Sequence, residues 1–316
     1  MAINQLLLTI FFNNFGRLRS GWRSAIFVAA FILTAAILGA AAMSLLYALP
    51  MGFGPGTAGF FIVNGLVSLV PALFVGWLCG KYLEGLPFRV LGAWFTKGWL
   101  KHLGIGIVLG AATLGIAVLT AVVFGGLSFE LNSGAGSLSI LSTLGVSFLI
   151  FTVAAAFEEA FFRGYILQTF TRAGLAWPAI LFTSVLFGVV HIYNPDAGTI
   201  STVNTILAGV WFGIAYLKTR DLWFVLGLHL MWNWMQGAFF GIEVSGLTDI
   251  VTAPLLREID SGPVWLTGES YGIEGGIACT FAIIISIAAI HFLAILKPDD
   301  ELLGLTDSEN GKKVQI

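Results

Sequence analysis

Long apolar runs, separated by short polar or glycine- and proline-rich breaks, make up most of this 316-residue chain. Each run is close to the ~20 residues that an α-helix needs to cross the hydrocarbon core of a bilayer. The fold class that this pattern predicts is all-α, a polytopic membrane protein with eight transmembrane helices. The predicted helices cover about 24–48, 58–80, 103–126, 138–162, 176–193, 203–218, 222–241 and 274–296.

The predicted helices form a single membrane domain over 24–296, with its motif-bearing core at 140–240. Residues 1–23 are expected to be a short amphipathic segment at the cytoplasmic surface, and 297–316 a polar, disordered cytoplasmic tail. The composition agrees, because 58% of the residues are hydrophobic and only 10% are charged, whereas a soluble domain carries about 25% charged residues.

The basic residues indicate how the chain is oriented. With the N-terminus in the cytoplasm, every basic residue except Arg257 falls in a cytoplasmic segment, which is 14 of the 15. Cytoplasmic loops carry an excess of Lys and Arg. We therefore expect a multi-pass protein of the cell membrane with both termini cytoplasmic.

Two adjacent carboxylates lie in one of the most apolar stretches of the chain. Glu158 and Glu159 follow three alanines and a phenylalanine within the fourth predicted helix. A charge at the centre of a membrane helix costs about 3 kcal/mol, so packing alone does not account for them. Glu159 and Arg163 are spaced i and i+4 and can pair on one helix face. Glu158 points about 100° away, which leaves it free for proton chemistry; a purely stabilising ion cluster is the alternative.

Three more polar residues lie within predicted helices. His191 is near the end of the fifth helix, and His229 and Asn233 share one face of the seventh at i and i+4. Interhelical hydrogen bonding is the alternative for each of them. The remaining histidines, His102 and His291, are expected to be interfacial.

Helix geometry places these groups at similar depth. Glu158 lies 16 residues before Gly174, the centre of the turn between the fourth and fifth helices, and His191 lies 17 after it, so an antiparallel hairpin puts them at one level. His229 reaches that level if this hairpin extends two or three turns beyond the turn between the sixth and seventh helices.

This set of side chains suits hydrolysis of an amide bond. Glu158 would act as general base on a water that His191 helps to hold, while His229 and Asn233 would donate hydrogen bonds to the oxyanion. The sequence places no serine or cysteine beside a base, which argues against a covalent intermediate. In a second interpretation Glu158, His191 and His229 are the ligands of a catalytic zinc ion.

Three motifs in this order resemble the CPBP family, which includes the CAAX prenyl endopeptidases and bacterial relatives linked to bacteriocin processing or immunity. They are Glu158-Glu159-Ala-Phe-Phe-Arg163, Phe187-Gly-Val-Val-His191 and His229-Leu-Met-Trp-Asn233. The resemblance covers about residues 140–240. It implies an eight-helix intramembrane endopeptidase, and the family has been described both as metal-dependent and as glutamate-based.

The function expected from the sequence is therefore that of an intramembrane endopeptidase. Its catalytic residues would be Glu158, His191, His229 and Asn233, supported by Glu159 and Arg163. No cofactor is favoured, and zinc is the alternative. The expected partners are the lipid bilayer and a peptide or membrane-protein substrate, with or without a lipid group, and no nucleic acid. The rival classes are a non-catalytic membrane scaffold or immunity protein and a proton-coupled transporter.

Overall fold

A computed structural model describes residues 9–48, 54 and 56–307, which fold into helices and one two-stranded sheet. The strands β1 (Leu127–Leu131) and β2 (Leu256–Asp260) pair antiparallel. The helices are α1 (Ser20–Ala48), α2 (Ala58–Glu84), α3 (Trp99–Val123), α4 (Ser137–Arg172), α5 (Ala176–His191), α6 (Thr199–Thr219), α7 (Leu222–Trp234), α8 (Val264–Thr267), α9 (Ile277–Phe292) and α10 (Asp300–Thr306).

Each of the eight predicted apolar runs coincides with a helix. Within the described residues α1, α2, α3, α4 and α6 are long and apolar enough to cross a membrane. The apolar helices α5 and α9 are shorter, at 16 residues each. Large apolar side chains on α1, such as Leu33 and Ile37, are each 63% exposed. An exposed apolar surface of this extent is typical of a membrane-embedded helix, and the fold is compatible with a polytopic membrane protein.

Two π-helical segments interrupt the regular helices close to the predicted site residues. Ala160–Leu167 follows Glu159 directly within α4, and Met235–Phe239 continues α7 just beyond Asn233. Wider turns of this kind occur frequently at functional sites. Both segments flank the groups that the sequence marks as chemically active.

Glycines allow α3 and α7 to approach at backbone contact. A Cβ atom added at Gly106 would lie 2.2 Å from the carbonyl oxygen of Phe224, and one at Gly110 would lie 2.4 Å from that of Leu228. The spacing is Gly-x-x-x-Gly, which brings membrane helices into close packing. Because His229 follows Leu228, this contact fixes the depth of His229 in the bundle.

We expect Gly110→Ala to destabilise the fold by about 1–3 kcal/mol, the typical cost of overpacking, although alanine favours helix by up to about 1 kcal/mol. Gly115→Ala, on the same helix, is the matched control because its added Cβ would meet nothing within 4 Å. Thermal unfolding in detergent measures both. Equal shifts for the two variants would contradict the close α3–α7 packing.

The α4–α5 hairpin extends beyond the α6–α7 turn as the helix geometry required. Gly174 makes the hairpin turn with a positive φ of 78°. Leu222, the first residue of α7, lies beside Gly164, where an added Cβ would be 3.7 Å from its Cδ1. Gly164 precedes the hairpin turn by ten residues, or roughly 15 Å of helix. The offset brings His229 level with Glu158.

At the periphery, His102 is buried in the protein, where it pairs with Asp221. Asp221 also caps α7 by accepting from the backbone N–H of Trp223 and Phe224. The segment after Lys297 is not disordered throughout, since α10 buries Leu302. Residues 308–316 of that tail and 1–8 of the amphipathic segment lie outside the described residues.

Candidate active site

Glu158, His191, His229 and Asn233 line one cavity, of about 110 Å³. They come from α4, α5 and α7, so three helices that are separate in sequence converge on it. Its other walls come from α6, α9 and the loop after α7. The space suffices for several water molecules, because one water occupies about 10–15 Å³ by this measure. The cavity therefore combines acids, histidines and an amide with room for water.

Glu159 forms the fully buried ion pair expected from its spacing. Its Oε1 accepts from Nη1 of Arg163 at 3.1 Å, and both side chains are 0% exposed. The second guanidinium nitrogen, Nη2, donates to the carbonyl oxygen of Gly209 at 3.0 Å. The guanidinium also lies over the rings of Phe187 and Phe212, 5.0 and 5.3 Å from their centroids. Arg163 thus ties α4 to α5 and α6.

His229 lies between the two carboxylates. Its Nδ1 is 2.8 Å from Oε1 of Glu159, and its Nε2 is 3.7 Å from Oε2 of Glu158. Because an ionised carboxylate can only accept a hydrogen bond, Nδ1 carries the proton and donates it. The ring stacks on Phe212 with centroids 4.5 Å apart. Its orientation is therefore fixed, and Nε2 faces Glu158.

Glu158 differs from its neighbour in exposure and in partners. Its side chain is 24% exposed and lines the cavity, while that of Glu159 is sealed. Within the described part of the chain, its Oε2 is buried and has no hydrogen-bond partner, which is also true of Oε2 of Glu159; of the two, only Glu158 lines the cavity. A buried acceptor without a partner carries a desolvation penalty, which a water molecule in the cavity would relieve.

His191 presents a nitrogen lone pair to the cavity. Its Nδ1 is 2.7 Å from the carbonyl oxygen of Phe187, and a carbonyl oxygen only accepts, so Nδ1 holds the proton. The neutral ring then has an unprotonated Nε2, which can accept a hydrogen bond from water. Asn233 lies one turn beyond His229 and places an amide in the same cavity.

The fold also brings polar residues to the cavity that sequence reasoning missed. Glu274 accepts hydrogen bonds from Trp232 and from Ser245 there, and Asn194 and Asn204 lie beside them. Ser245 Oγ is 2.6 Å from Glu274 Oε2, so a serine does lie beside a carboxylate. No motif marks these residues, because they come from a turn, a loop and helix ends distant in sequence.

The zinc interpretation requires three ligands at one point. Glu158, His191 and His229 are suitable residue types, and both histidines have Nδ1 held by an acceptor, as in many zinc sites. However, no three His, Cys, Asp or Glu side chains of the described residues are grouped closely enough to hold a metal ion. The side chains as positioned do not fit a zinc site.

Comparisons with known proteins agree with the three motifs. Residues 139–235 match the family described as Rce1-like, type II CAAX prenyl endopeptidase. The match covers the region of all six predicted site residues and confirms the resemblance. An uncharacterised protein of Bacillus subtilis (strain 168), YyaK, is 26% identical over 150 residues. That similarity covers 46% of this chain and 46% of YyaK, less than half of either. Over its helical core the chain is thus similar to CAAX-type proteases of membranes.

Proposed function

We propose that this protein is an intramembrane endopeptidase that hydrolyses a peptide bond with a water molecule activated by Glu158. The observation that supports this most strongly is that the two adjacent glutamates differ in burial and in their contacts. Glu159 is sealed and paired with Arg163 and His229, whereas Glu158 opens into the cavity and lies beyond hydrogen-bond distance of His229. One carboxylate organises the site and the other is available to take a proton.

The reaction would begin with a water held between Glu158 and Nε2 of His191. Glu158 removes a proton from this water as its oxygen attacks the carbonyl carbon of the scissile bond. The carbonyl oxygen becomes an oxyanion, stabilised by the amide of Asn233 and by Nε2 of His229. Nε2 of His229 can donate only when the imidazole ring is protonated on both nitrogens. The positively charged ring then lies between the carboxylates of Glu158 and Glu159. When the carbon–nitrogen bond breaks, Glu158 returns the proton to the leaving amine.

The membrane arrangement completes the proposal. All eight apolar helices would cross or enter the bilayer as one domain over 24–296, with both termini in the cytoplasm. The substrate would be a peptide or a membrane protein, with or without a lipid group, that reaches the cavity laterally or along the helices. A depth of several helical turns excludes most bulk water, which strengthens the electrostatic interactions within the site.

Peptide cleavage by the purified protein tests the proposal. The protein in detergent or liposomes is incubated with a library of plain and prenylated peptides, and mass spectrometry identifies new termini. We expect discrete cleavage products. A protein that binds membrane partners but cuts no peptide under any of these conditions would instead be a scaffold on the same fold.

Metal content separates the glutamate mechanism from the zinc alternative. We expect cleavage-competent protein to hold less than about 0.1 equivalent of zinc and to retain activity in chelator. His191→Ala and His229→Ala should then lose activity at unchanged metal content. Elemental analysis of the three proteins checks this. About one zinc per chain, lost in both variants, would make these histidines ligands, since a structural or catalytic site needs three or more protein ligands.

Ser245 offers a different route, through a covalent acyl-enzyme. Its hydroxyl donates to Glu274 at 2.6 Å, but this carboxylate also accepts from the indole of Trp232 at 2.9 Å. We expect Ser245→Ala to retain cleavage within about tenfold and fluorophosphonate probes to leave the protein unlabelled. Labelling that disappears in Ser245→Ala, together with loss of activity, would make the Ser245 hydroxyl, and not the water activated by Glu158, the nucleophile.

A further inference from the structure

The cavity is also lined by polar residues that take no part in the proposed hydrolysis. Glu274, in the turn before α9, lines it together with Asn194, Asn204 and Ser245. One carboxylate oxygen of Glu274 accepts from the indole N–H of Trp232 at 2.9 Å, and the other accepts from the Ser245 hydroxyl at 2.6 Å. Each oxygen of this carboxylate is therefore held in place.

Hydrogen bonds hold the carboxylate of Glu274 in place, but no positively charged side chain of the described residues balances its charge. Both of its donors are neutral, and no Lys, Arg or His side chain pairs with it in the part of the chain that the structure describes. Its side chain is only partly exposed. A carboxylate at a low-dielectric wall attracts a cation more strongly than one in water does.

The rest of the cavity adds to this negative character. Glu158 also lines it, whereas the positive charge of Arg163 lies sealed behind the wall and is engaged by Glu159 and Gly209. A cleft lined by an excess of charge of one sign concentrates ligands of the opposite sign. Even when a protonated His229 balances the charge of Glu158, as the proposed reaction requires, the charge of Glu274 stays uncompensated, so the cavity favours a cationic group over a carboxylate.

Glu274 is hydrogen-bonded to α7, the helix that carries His229 and Asn233. Trp232, its donor, is on α7 three residues after His229 and directly before Asn233. The Trp232 ring is buried against Trp211, with centroids 5.7 Å apart. A group bound to Glu274 therefore has a fixed place relative to the groups that would surround the scissile carbonyl.

We propose that Glu274 determines specificity by binding an ammonium group of the substrate, supplied by a lysine side chain or by a free N-terminus close to the scissile bond. The ammonium group would form a charge-assisted hydrogen bond with the carboxylate. This inference rests on the proposed endopeptidase function and adds to it the chemical class of substrate: peptides with a positive charge near the cleavage point. Substrates with an acidic residue at that position are excluded.

The test compares peptides that differ only in one ammonium group. A peptide cleaved by the wild type is scanned with lysine against norleucine, which has the same carbon chain without the charge, and is prepared with a free or an acetylated N-terminus. We expect the wild type to prefer one charged form at least tenfold in kcat/KM, mainly through KM. Lysine dependence identifies a side chain, and acetylation dependence identifies the N-terminus.

Glu274→Gln should lose this preference, so that the charged and the uncharged peptide are cleaved with equal kcat/KM. The matched control is Glu269→Gln, which removes an exposed acid from the same loop outside the cavity and should keep the preference. If Glu274 only anchors the loop to α7, Glu274→Gln will lower the melting temperature and the rate for both peptides and retain the preference. That result overturns the inference.

A binding measurement keeps the inference separate from the proposed reaction. Fluorescence anisotropy of labelled lysine and norleucine peptides is measured on Glu158→Gln protein with and without Glu274→Gln, so that no chemistry is needed. Tighter binding of the charged peptide that disappears with Glu274→Gln supports the inference even if no peptide is cleaved. Equal binding of the two peptides to Glu158→Gln protein overturns it, whether or not cleavage occurs.

Discussion

Glu158→Gln is expected to lower kcat about 10²- to 10⁴-fold, the range that general-base catalysis contributes, with little change in substrate binding. Glutamine keeps the shape and an acceptor oxygen but cannot take a proton from water. The side chain of Glu158 is 24% exposed, and its contact with Nε2 of His229 is 3.7 Å long, so its replacement should leave the fold intact. Initial rates on a cleaved peptide measure the loss.

Glu130→Gln is the control for the charge change. Glu130 is an exposed acid on β1, opposite Arg257 in the register of the two strands, and its replacement should leave the rate unchanged. Glu158→Asp should retain a small fraction of activity, because it keeps a carboxylate but withdraws it by one methylene. Full activity in Glu158→Gln, with wild-type unfolding temperature, would remove Glu158 from the proposed mechanism.

The helices and the meeting of the motifs could be predicted because both follow from local rules. Apolar runs set the helices, and the i, i+4 spacing of Glu159 and Arg163 set their ion pair. Equal chain lengths on either side of Gly174 placed Glu158 level with His191. The structure shows each of these features.

The partner of His229 could not be predicted from local spacing. The sequence predicted oxyanion donation for His229, with interhelical hydrogen bonding as an alternative, and named no partner for its ring, whereas the structure pairs Nδ1 with Glu159 across 70 residues. Likewise, Glu274 joins the cavity only because the turn before α9 packs against α7. Such contacts depend on how helices pack, and the buried pairing of His102 with Asp221 was missed for the same reason, since the two residues are 119 apart in sequence.

Arg163→Met is expected to destabilise the protein by about 3–5 kcal/mol, the typical cost of breaking a buried ion pair from one side. Methionine leaves the fully buried Glu159 without its guanidinium, and it also deprives the Gly209 carbonyl of a donor. Among the described residues, His229 is then the remaining side chain that forms a hydrogen bond with Glu159. Thermal unfolding in detergent, followed by tryptophan fluorescence, measures the effect.

The double variant Glu159→Gln, Arg163→Met separates stability from catalysis. Removing both charges leaves no buried ion unpaired, and apolar replacements of whole buried pairs are often neutral or stabilising. We therefore expect it to recover most of the lost melting temperature. Activity should stay low, because a glutamine amide binds the Nδ1 proton of His229 less strongly than a carboxylate does. The imidazole ring is then no longer fixed with Nε2 facing Glu158. Recovery of activity together with stability would show that Glu159 and Arg163 serve the fold alone.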